Sequence, residues 1–473
     1  MTVDRLTGQH PTGQHPTRPH PTRPHPARPH PARQRPSGQR SARPARPPAP
    51  AGLPRLIPAG VGPDASLGAH LARLGPLAYP PSAGALIGVA EAAGLTGRGG
   101  AAFPVHRKLS AVIQSGRPPV VVGNGAEGEP ASSKDGSLLW LAPHLVLDGL
   151  QLVASAAGAT RTVLYVHRDA ALIAYLSQAL AHRFAAGTDR APVELIEAPH
   201  RFLAGEESAL VNVINGETAR PQFKRPPVYE RGVGGRPTLV QNVETLAHLT
   251  LIARFGADWF RAAGTPAEPG SMLCTVHRAD GGSHVVEAGL GAPVRSLLRL
   301  GGVGGGGGGR VQAVLCGGYH GAWLDPEHAA RLSLDNASLR PAGSFAGAGV
   351  LAELPASRCG LAETARVARY LALESAGQCG PCFNGLPHIA GALAELAGLR
   401  PGGQVLADVR RWAGLAQGRG ACHHPDGFVR FVRSAFTVFE AEIGRHARGQ
   451  CSATDRRPFL PVPATAASEA DWS

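Results

Sequence analysis

The chain has 473 residues, 43% of them hydrophobic, which is enough for two to four domains with a large buried core. Residues 1–50 hold nine Arg and one Asp and contribute +8 of the formal charge of +13, which leaves +5 for the rest. The folded part is therefore only mildly basic. Because no helix-turn-helix, zinc-finger or aromatic-rich pattern accompanies the basic arm, we do not expect nucleic-acid binding.

Residues 1–52 are predicted to be a disordered arm. His recurs at 10, 15, 20, 25 and 30, each time followed by Pro, and Pro at this density favours extended, solvated chain. Weak metal binding by these His is the alternative. No signal-peptide-like segment begins the chain, and the best apolar run, 145–159, is broken by Asp148 and too short to span a membrane. We expect a cytoplasmic protein with no membrane span of its own.

The remaining chain is predicted to form three folded parts and a loose tail. In 53–268, strands at 118–122 and 162–167 alternate with helices at 145–157 and 205–214, which indicates an α/β layer. In 269–345, short β-like runs around a helix at 292–299 are typical of a β-grasp domain, with 304–309 a flexible Gly insertion. In 355–448, helical periodicity at 362–376, 386–398, 403–416 and 426–446 predicts a bundle. Residues 449–473 are expected to be loose.

Four short blocks carry residues suited to binding an anionic cofactor. GRGGAAFP (97–104), followed by Lys108, lets backbone amides converge on a phosphate. NGAEGEP (124–130) offers carboxylates that accept hydrogen bonds from hydroxyl or amide groups. AGEESAL (204–210) places acidic residues in a first helical turn, where they also suit the helix dipole. QNVET (241–245) follows RPT (236–238) and is a helix start that caps itself or binds phosphate.

A fifth block, ESAGQCGPC (374–382), holds a Cys pair, and Cys422 lies forty residues beyond it. A C-x-x-C-x-x-C run supplies three thiolates of a cubane iron–sulfur cluster, but Ala376 stands at the first of these positions. Three interpretations stay open: a 3Fe–4S or 4Fe–4S cluster on Cys379, Cys382 and Cys422, zinc bound with an added His, or no metal. His423 and His424 are candidates for the fourth ligand, with Ser375 and Cys359 as weaker ones.

The order and spacing of these blocks resemble the flavoprotein subunit of respiratory complex I and the related diaphorase subunits of hydrogenases and formate dehydrogenases. The resemblance covers about 90–445. It implies an α/β fold, namely a Rossmann-like FMN domain followed by a small β-grasp domain and a C-terminal helical bundle with a 4Fe–4S cluster. The implied reaction is hydride transfer from NADH to FMN, then single electrons through the cluster to an iron–sulfur or membrane-associated acceptor protein. Such a partner would place the chain at the inner face of the membrane.

The resemblance also implies site residues. Those at positions where the family binds FMN are Gly97, Arg98, Gly99, Gly100, Lys108, Asn124, Glu127, Gly205, Glu206, Glu207, Asn242 and Thr245. Phe103, Glu129 and Lys224 stand where the family contacts the nucleotide or lies close to it, and Glu129 and Lys224 are the expected catalytic pair.

Four departures from the family pattern weaken parts of this expectation. Ala126 replaces an Asp near the flavin, Leu109 and Pro227 replace aromatic residues, and Ala376 replaces a cluster Cys. Loss of the aromatics removes stacking surface for adenine, worth about 0.5–1.5 kcal/mol per pair. The leading hypothesis is an NADH-dependent FMN oxidoreductase; the alternative is a non-catalytic paralogue that keeps the fold as a flavin-binding or assembly module.

Overall fold

The computed structural model describes residues 52–58, 64–222, 226–300, 310–399, 404–463 and 469–472. All of them belong to one compact unit. The predicted arm up to residue 51, Lys224 and the Gly insertion at 304–309 lie outside the described residues.

A parallel sheet forms the first half of the described chain. Its strands are β1 (Val120–Gly125), β2 (Arg161–His167), β3 (Glu194–Ala198) and β4 (Thr238–Asn242), in the order β3-β2-β1-β4. Strand β1 pairs in parallel with both β2 and β4, so the chain order changes direction between β1 and β4. In doubly wound folds, ligands bind outside the carboxyl ends of the strands at such a switch point.

Helices cover both faces of this sheet. They are α1 (Leu67–Leu74), α2 (Ala83–Ala93), α3 (Val105–Ile113), α4 (Lys134–Leu141), α5 (Pro143–Ala157), α6 (Ala170–Ala185), α7 (Glu207–Ile214), α8 (Val243–Phe255) and α9 (Ala257–Arg261). Helices α5 and α8 pack in the larger core, whereas α7 packs on the opposite face with Val122, Tyr165 and Val240. The predicted α/β layer is confirmed.

Asp148, the charged residue that interrupts the apolar helix α5, is buried and is the shared partner of several basic side chains. Asp148 contacts Arg183 at 2.8 Å and Arg254 at 2.5 Å, and His70 at 2.9 Å. Burial alone would raise the pKa of Asp148, but these partners hold it well below its usual range.

In the described part of the chain no single helix is long and apolar enough to cross a membrane. Helices α4 and α5 together have the length and composition of a membrane span, but they are bent by 95° relative to each other.

A mixed sheet forms the second layer. It contains β5 (Ser271–His277), β6 (Ser283–Gly289), β7 (Val311–Cys316), β8 (Ala322–Leu324) and β9 (Val350–Pro355), with helices α10 (Val294–Arg299), α11 (Pro326–Arg331) and α12 (Asn336–Leu339). Its order is β6-β5-β9-β7-β8, and β9 pairs in parallel with β5 at the centre, which is typical of a β-grasp. Strand β9 was not predicted, and it lies wholly beyond the expected boundary at 345. The domain boundaries stay predictions.

The last folded part is helical. Its elements are α13 (Gly360–Leu373), α14 (Leu386–Ala397), α15 (Val405–Ala416), α16 (His424–Val438) and α17 (Glu440–His446). The single helix expected over 426–446 is therefore two helices, because the chain bends at Phe439. Contrary to the expected loose tail, the segment up to Pro461 is bonded to the rest of the protein: Glu363 accepts from Phe459 N and Leu460 N, and Tyr319 donates to Pro461 O.

Candidate functional site

The predicted flavin-binding blocks meet at the carboxyl edge of the parallel sheet. Asn124 and Asn242 lie opposite each other near the ends of β1 and β4. The Asn242 amide donates to the Asn124 carbonyl at 3.4 Å, while its oxygen accepts from Glu244 N at 3.0 Å and caps α8. Two Asn side chains and a helix N-terminus therefore share the switch point of the sheet.

The Gly-rich loop between α2 and α3 lies against the start of α8. Arg98 N donates to the Thr245 hydroxyl at 2.9 Å. A Cβ atom added to Gly99 would lie 3.3 Å from the Asn242 Cβ, and Gly100 has a φ of +101° that favours Gly. Gly97 N donates to Phe103 O at 2.9 Å and closes the loop. The loop approaches α8 this closely because it carries no side chains there.

The Arg98 side chain is engaged inside the protein. Its guanidinium donates to the carbonyl oxygens of Ser271 at 3.0 Å, Thr96 at 3.1 Å and Pro269 at 3.3 Å. Burial lowers the pKa of this group. The Arg98 side chain thus ties the loop to the start of β5, and only its backbone faces the start of α8.

The block at 204–210 reaches the carboxyl edge of the parallel sheet from the face that α7 covers. The Asn124 amide donates to Gly205 O at 2.9 Å, and a Cβ on Gly205 would lie 2.6 Å from Ala126 O. Glu206 caps α7 by accepting from Ser208 N and Ala209 N. Lys108 pairs with Glu207 at 3.1 Å, so α3 is joined to the start of α7. Residues from all four blocks are therefore linked by direct contacts.

The loop after β1 is organised by Glu127. Its carboxylate accepts from the Ser132 hydroxyl, from Lys134 N at 2.9 Å and from Gly136 N at 3.2 Å. Burial, and then the charge of Asp135, raises the pKa of Glu127 to about 7. Its carboxylate is thus engaged with its own loop.

A buried ion network supports this edge and was not assigned from the sequence. Lys134 Nζ lies 2.7 Å from Asp135 and 2.9 Å from Glu244, and all three side chains are buried. Asp135 accepts from the Asn242 amide at 2.8 Å, and Glu244 accepts from Leu273 N at 2.8 Å. The available signal was compositional, because Lys134 is one of only three Lys in the chain.

Glu129 lies between the two sheets. Its carboxylate accepts from Tyr319 N at 2.7 Å and from Ala131 N at 3.2 Å, and burial raises its pKa to about 7. Its expected catalytic partner, Lys224, is outside the described residues. Phe103 is 53% exposed and is therefore accessible to a ligand.

These residues fit a flavin mononucleotide. At Gly99 and Gly205 the backbone lies so close to its neighbours that a side chain would not fit without a shift. The Gly-rich loop and the N-terminus of α8 suit a phosphate. On the α7 face, opposite Asn124 in the register, the Tyr165 hydroxyl is buried and has no hydrogen-bond partner among the described residues. Two cavities that lie elsewhere, around Trp412 and around His70, are lined by none of the predicted site residues.

The predicted iron–sulfur residues come together in the helical part. Cys379 and Cys382 lie in the turn before α14, and Cys422 directly precedes α16. Burial, then Cys379 and Cys422, raises the pKa of the Cys382 thiol. Thiols brought together in this way suit an iron–sulfur cluster, whose thiolates bind different iron atoms.

The structure narrows the choice of a fourth ligand. The Ser375 side chain lies close enough to the Cys382 thiol to oppose the rise in its pKa, and Ser375 directly precedes the buried Ala376. His424 donates to Leu371 O at 2.8 Å and contacts His320 at 3.0 Å with its other nitrogen, so both of its nitrogens are used. Burial lowers the pKa of His424 to about 4. His424 is therefore not placed as a ligand. His423 is exposed to solvent and stays a candidate.

Cys359 is not placed as a ligand of this segment either. Its thiol lies at the start of α13, 3.4 Å from His446 Nε2 and within 4.8 Å of the Cys451 thiol. No spacing pattern in the sequence pointed to this contact of Cys451. Cys274 and Cys316 are fully buried in β5 and β7.

Comparisons with known proteins agree with these observations. Residues 90–251 match the Nuo51 FMN-binding domain, and residues 362–446 match the NADH-ubiquinone oxidoreductase-F iron–sulfur binding region. The chain is similar to the F subunit of NADH-quinone oxidoreductase from Streptomyces coelicolor, with 29% identity over 395 residues, covering 80% of this chain and 86% of that protein. Its identity to the corresponding protein of Mycobacterium tuberculosis strain H37Rv is 30% over 406 residues, covering 82% and 89%.

Among solved structures, the chain is similar to an NAD+-reducing NiFe hydrogenase in the H2-reduced state. The TM-score is 0.70 with 27% identity, over 78% of this chain. The chain spans 63% of the length of that hydrogenase chain. The resemblance deduced from the motif blocks is thus confirmed by sequence and by fold: the chain belongs to the family of NADH-quinone oxidoreductase F subunits.

Proposed function

We propose that this protein oxidises NADH with bound FMN and passes electrons through an iron–sulfur cluster to a partner protein. The observation that carries the proposal is the convergence of four motif blocks, 97–100, 124–127, 205–207 and 242–245, at the switch point of the parallel sheet. Bound FMN supplies the hydride-accepting and one-electron chemistry.

The chain's own residues would bind and orient the flavin. The amides of Gly99 and Gly100 and the start of α8 would hold its phosphate, since unpaired helix N–H groups and the helix dipole favour anions. Asn124 would position the ring system, because its side chain already fixes Gly205 against the end of β1. Glu206 and Lys108 would complete this binding surface.

Glu129 and Lys224 are proposed to act on the nicotinamide nucleotide, with Phe103 beside it. The burial of Glu129 and its raised pKa support a carboxyl group suited to hydrogen bonding rather than to carrying charge. Its bond to Tyr319 N adds a structural role that the sequence did not predict.

Electrons would leave through Cys379, Cys382 and Cys422, with Ser375 as the proposed fourth ligand. The position of Ser375 beside the Cys382 thiol supports this choice. The acceptor is proposed to be another subunit, iron–sulfur-containing or membrane-associated, which would hold the chain at the inner face of the membrane.

Flavin analysis tests the leading proposal. Heat-released cofactor from the purified protein is expected to be FMN, and the protein is expected to reduce ferricyanide with NADH. Asn124→Ala should weaken FMN retention, because it removes the bonds to Gly205 O and Ala126 N. Asn215→Ala is the matched control, since Asn215 accepts from Gly234 N at the other end of α7. Recovery of FAD, or equal retention by both variants, would contradict the proposed site.

A non-catalytic flavin-binding paralogue is the second candidate. It is favoured by Ala376, which packs with Leu203, Ala204 and Trp472 where the family has a cluster thiolate. Bound FMN without any NADH oxidation under anaerobic conditions would select this candidate, whereas NADH oxidation to ferricyanide would reject it.

A further inference from the structure

Four metal-ligating side chains converge outside the predicted flavin and iron–sulfur residues. Cys359 caps the start of α13, Glu442 and His446 lie one turn apart on α17, and Cys451 follows that helix. One ligand atom from each of the four lies within 4.8 Å of the others. Cys359, Glu442 and His446 are buried, and Cys451 is half-buried.

The spacing of these atoms fits one tetrahedral zinc ion. The Cys359 Sγ lies 3.4 Å from His446 Nε2, and Nε2 lies 3.3 Å from Glu442 Oε1. With Zn–S of about 2.3 Å and Zn–N and Zn–O of about 2.1 Å, a tetrahedron has edges of about 3.6 Å from sulfur to nitrogen and about 3.4 Å from nitrogen to oxygen. Little movement is therefore needed for these ligands to share an ion.

His446 is oriented in the way that metal-binding His residues are. Its Nδ1 lies 2.9 Å from Leu396 O on α14, and since a carbonyl only accepts, Nδ1 carries the proton. In the neutral ring this leaves the Nε2 lone pair facing Cys359 and Glu442. A backbone carbonyl that fixes the tautomer and ring angle is the usual outer-shell partner of a metal-bound His.

The other three ligand side chains accept hydrogen bonds from backbone N–H groups. Cys359 Sγ accepts from Ala362 N, and Cys451 Sγ accepts from Ala453 N, both at 3.4 Å. Such N–H donors stabilise thiolates. Glu442 accepts from Ser452 N at 2.8 Å, and Arg445 lies 3.5 Å from its second oxygen. Arg445 would offset part of the excess negative charge of two thiolates and a carboxylate around a divalent ion.

We propose that Cys359, Glu442, His446 and Cys451 bind one structural Zn²⁺. Nitrogen and sulfur donors with four protein ligands are typical of closed structural zinc sites. Binding displaces the thiol protons of the two Cys residues, since the thiolate is the ligand. The ion would join the start of α13, the end of α17 and the segment that follows it, which then runs along α13 to its contacts with Glu363.

Metal analysis of the full-length protein tests this site. Protein made with zinc supplied and purified anaerobically is expected to contain one zinc per chain in addition to iron. Cys451→Ser and His446→Asn should each lower zinc affinity by at least about tenfold, as even outer-shell changes cost that much. Asn keeps a donor towards Leu396 O but lacks Nε2. Cys379→Ser is the cross-control: it should reduce iron and leave zinc unchanged.

Measurements on the unaltered protein keep the proposal testable if a variant fails to fold. A mercurial thiol reagent should release the zinc to a coloured chelator, and a strong zinc chelator should lower the melting temperature. The proposal is overturned if zinc-supplied protein holds no zinc above background, whether its thiols are free or joined as a Cys359–Cys451 disulfide. It is equally overturned if the zinc is lost in Cys379→Ser but kept in Cys451→Ser.

Discussion

Replacing Lys134 with Met tests the buried ion network beneath the candidate flavin site. The Lys134 ammonium is the shared partner of Asp135, at 2.7 Å, and Glu244, at 2.9 Å, and its side chain is 3% exposed. Met fills a similar volume without the charge, so two buried carboxylates lose their cation. Removing one partner of a buried ion pair typically costs about 3–5 kcal/mol. We expect a loss of this size in the free energy of unfolding.

The same change should also weaken flavin retention, because Asp135 positions the Asn242 amide at the end of β4. Urea unfolding followed by circular dichroism gives the stability change from midpoints at equal slope. Lys108→Met is the matched control for stability: Lys108 and Glu207 are about one-quarter exposed, and such pairs contribute about 0–1 kcal/mol. Equal costs for the two Lys→Met changes would refute the reasoning that burial decides the strength of these pairs.

Three further predictions follow from the carboxylates and the cluster segment. Burial opposes the charge of Glu244, but Lys134 and His248 lower its pKa from 4.5 to about 2, so its stabilisation is complete above pH 4.5 and is lost towards pH 2. The stability difference between wild type and Lys134→Met should therefore shrink over that range in urea titrations; a constant difference would contradict the assignment. Glu129 makes the opposite contribution to the pH dependence of stability, because burial raises its pKa from 4.5 to about 7. The free energy of unfolding of the wild type should therefore fall as pH rises between these values. The Gln side chain of Glu129→Gln does not titrate, so the stability of this variant relative to wild type should increase over the same pH range, while its NADH oxidation falls. A stability difference that does not change with pH would argue against a raised pKa. Ala376→Cys should increase iron and sulfide content and air stability, and no gain under anaerobic conditions would mean that the site cannot accept a fourth thiolate.

Local patterns in the sequence predicted five of the nine strands in the described chain, and the helices α5, α7, α10 and α13–α17, of which the last two were expected as one. The Val run at 120–122 predicted a buried strand, and 3.6-residue periodicity predicted the helices of the C-terminal part, because burial on one face leaves a mark at fixed spacing. The ordered blocks predicted the family, since Gly positions and clustered carboxylates encode backbone approach and hydrogen bonding locally. Strand β9 was missed because a short apolar run between Gly-rich segments carries little periodic signal.

Which residues meet was decided by the tertiary structure. Asn124 contacts Gly205 and Asn242, far away in sequence, because parallel pairing aligns the ends of β1 and β4. The Arg98 guanidinium has several donors, and the carbonyls of Ser271 and Pro269 at the start of β5 satisfy them inside the protein, which the sequence did not predict.

The Cys residues show the same division. The sequence by itself determined that Cys379, Cys382 and Cys422 belong together, because their spacing reproduces a known ligand pattern. It did not determine that Cys359 and Cys451 meet at His446, since no spacing rule links the first turn of α13 to the chain that leaves α17. That contact exists only because α13, α14 and α17 pack in one bundle and bring three distant backbone segments within the reach of single side chains.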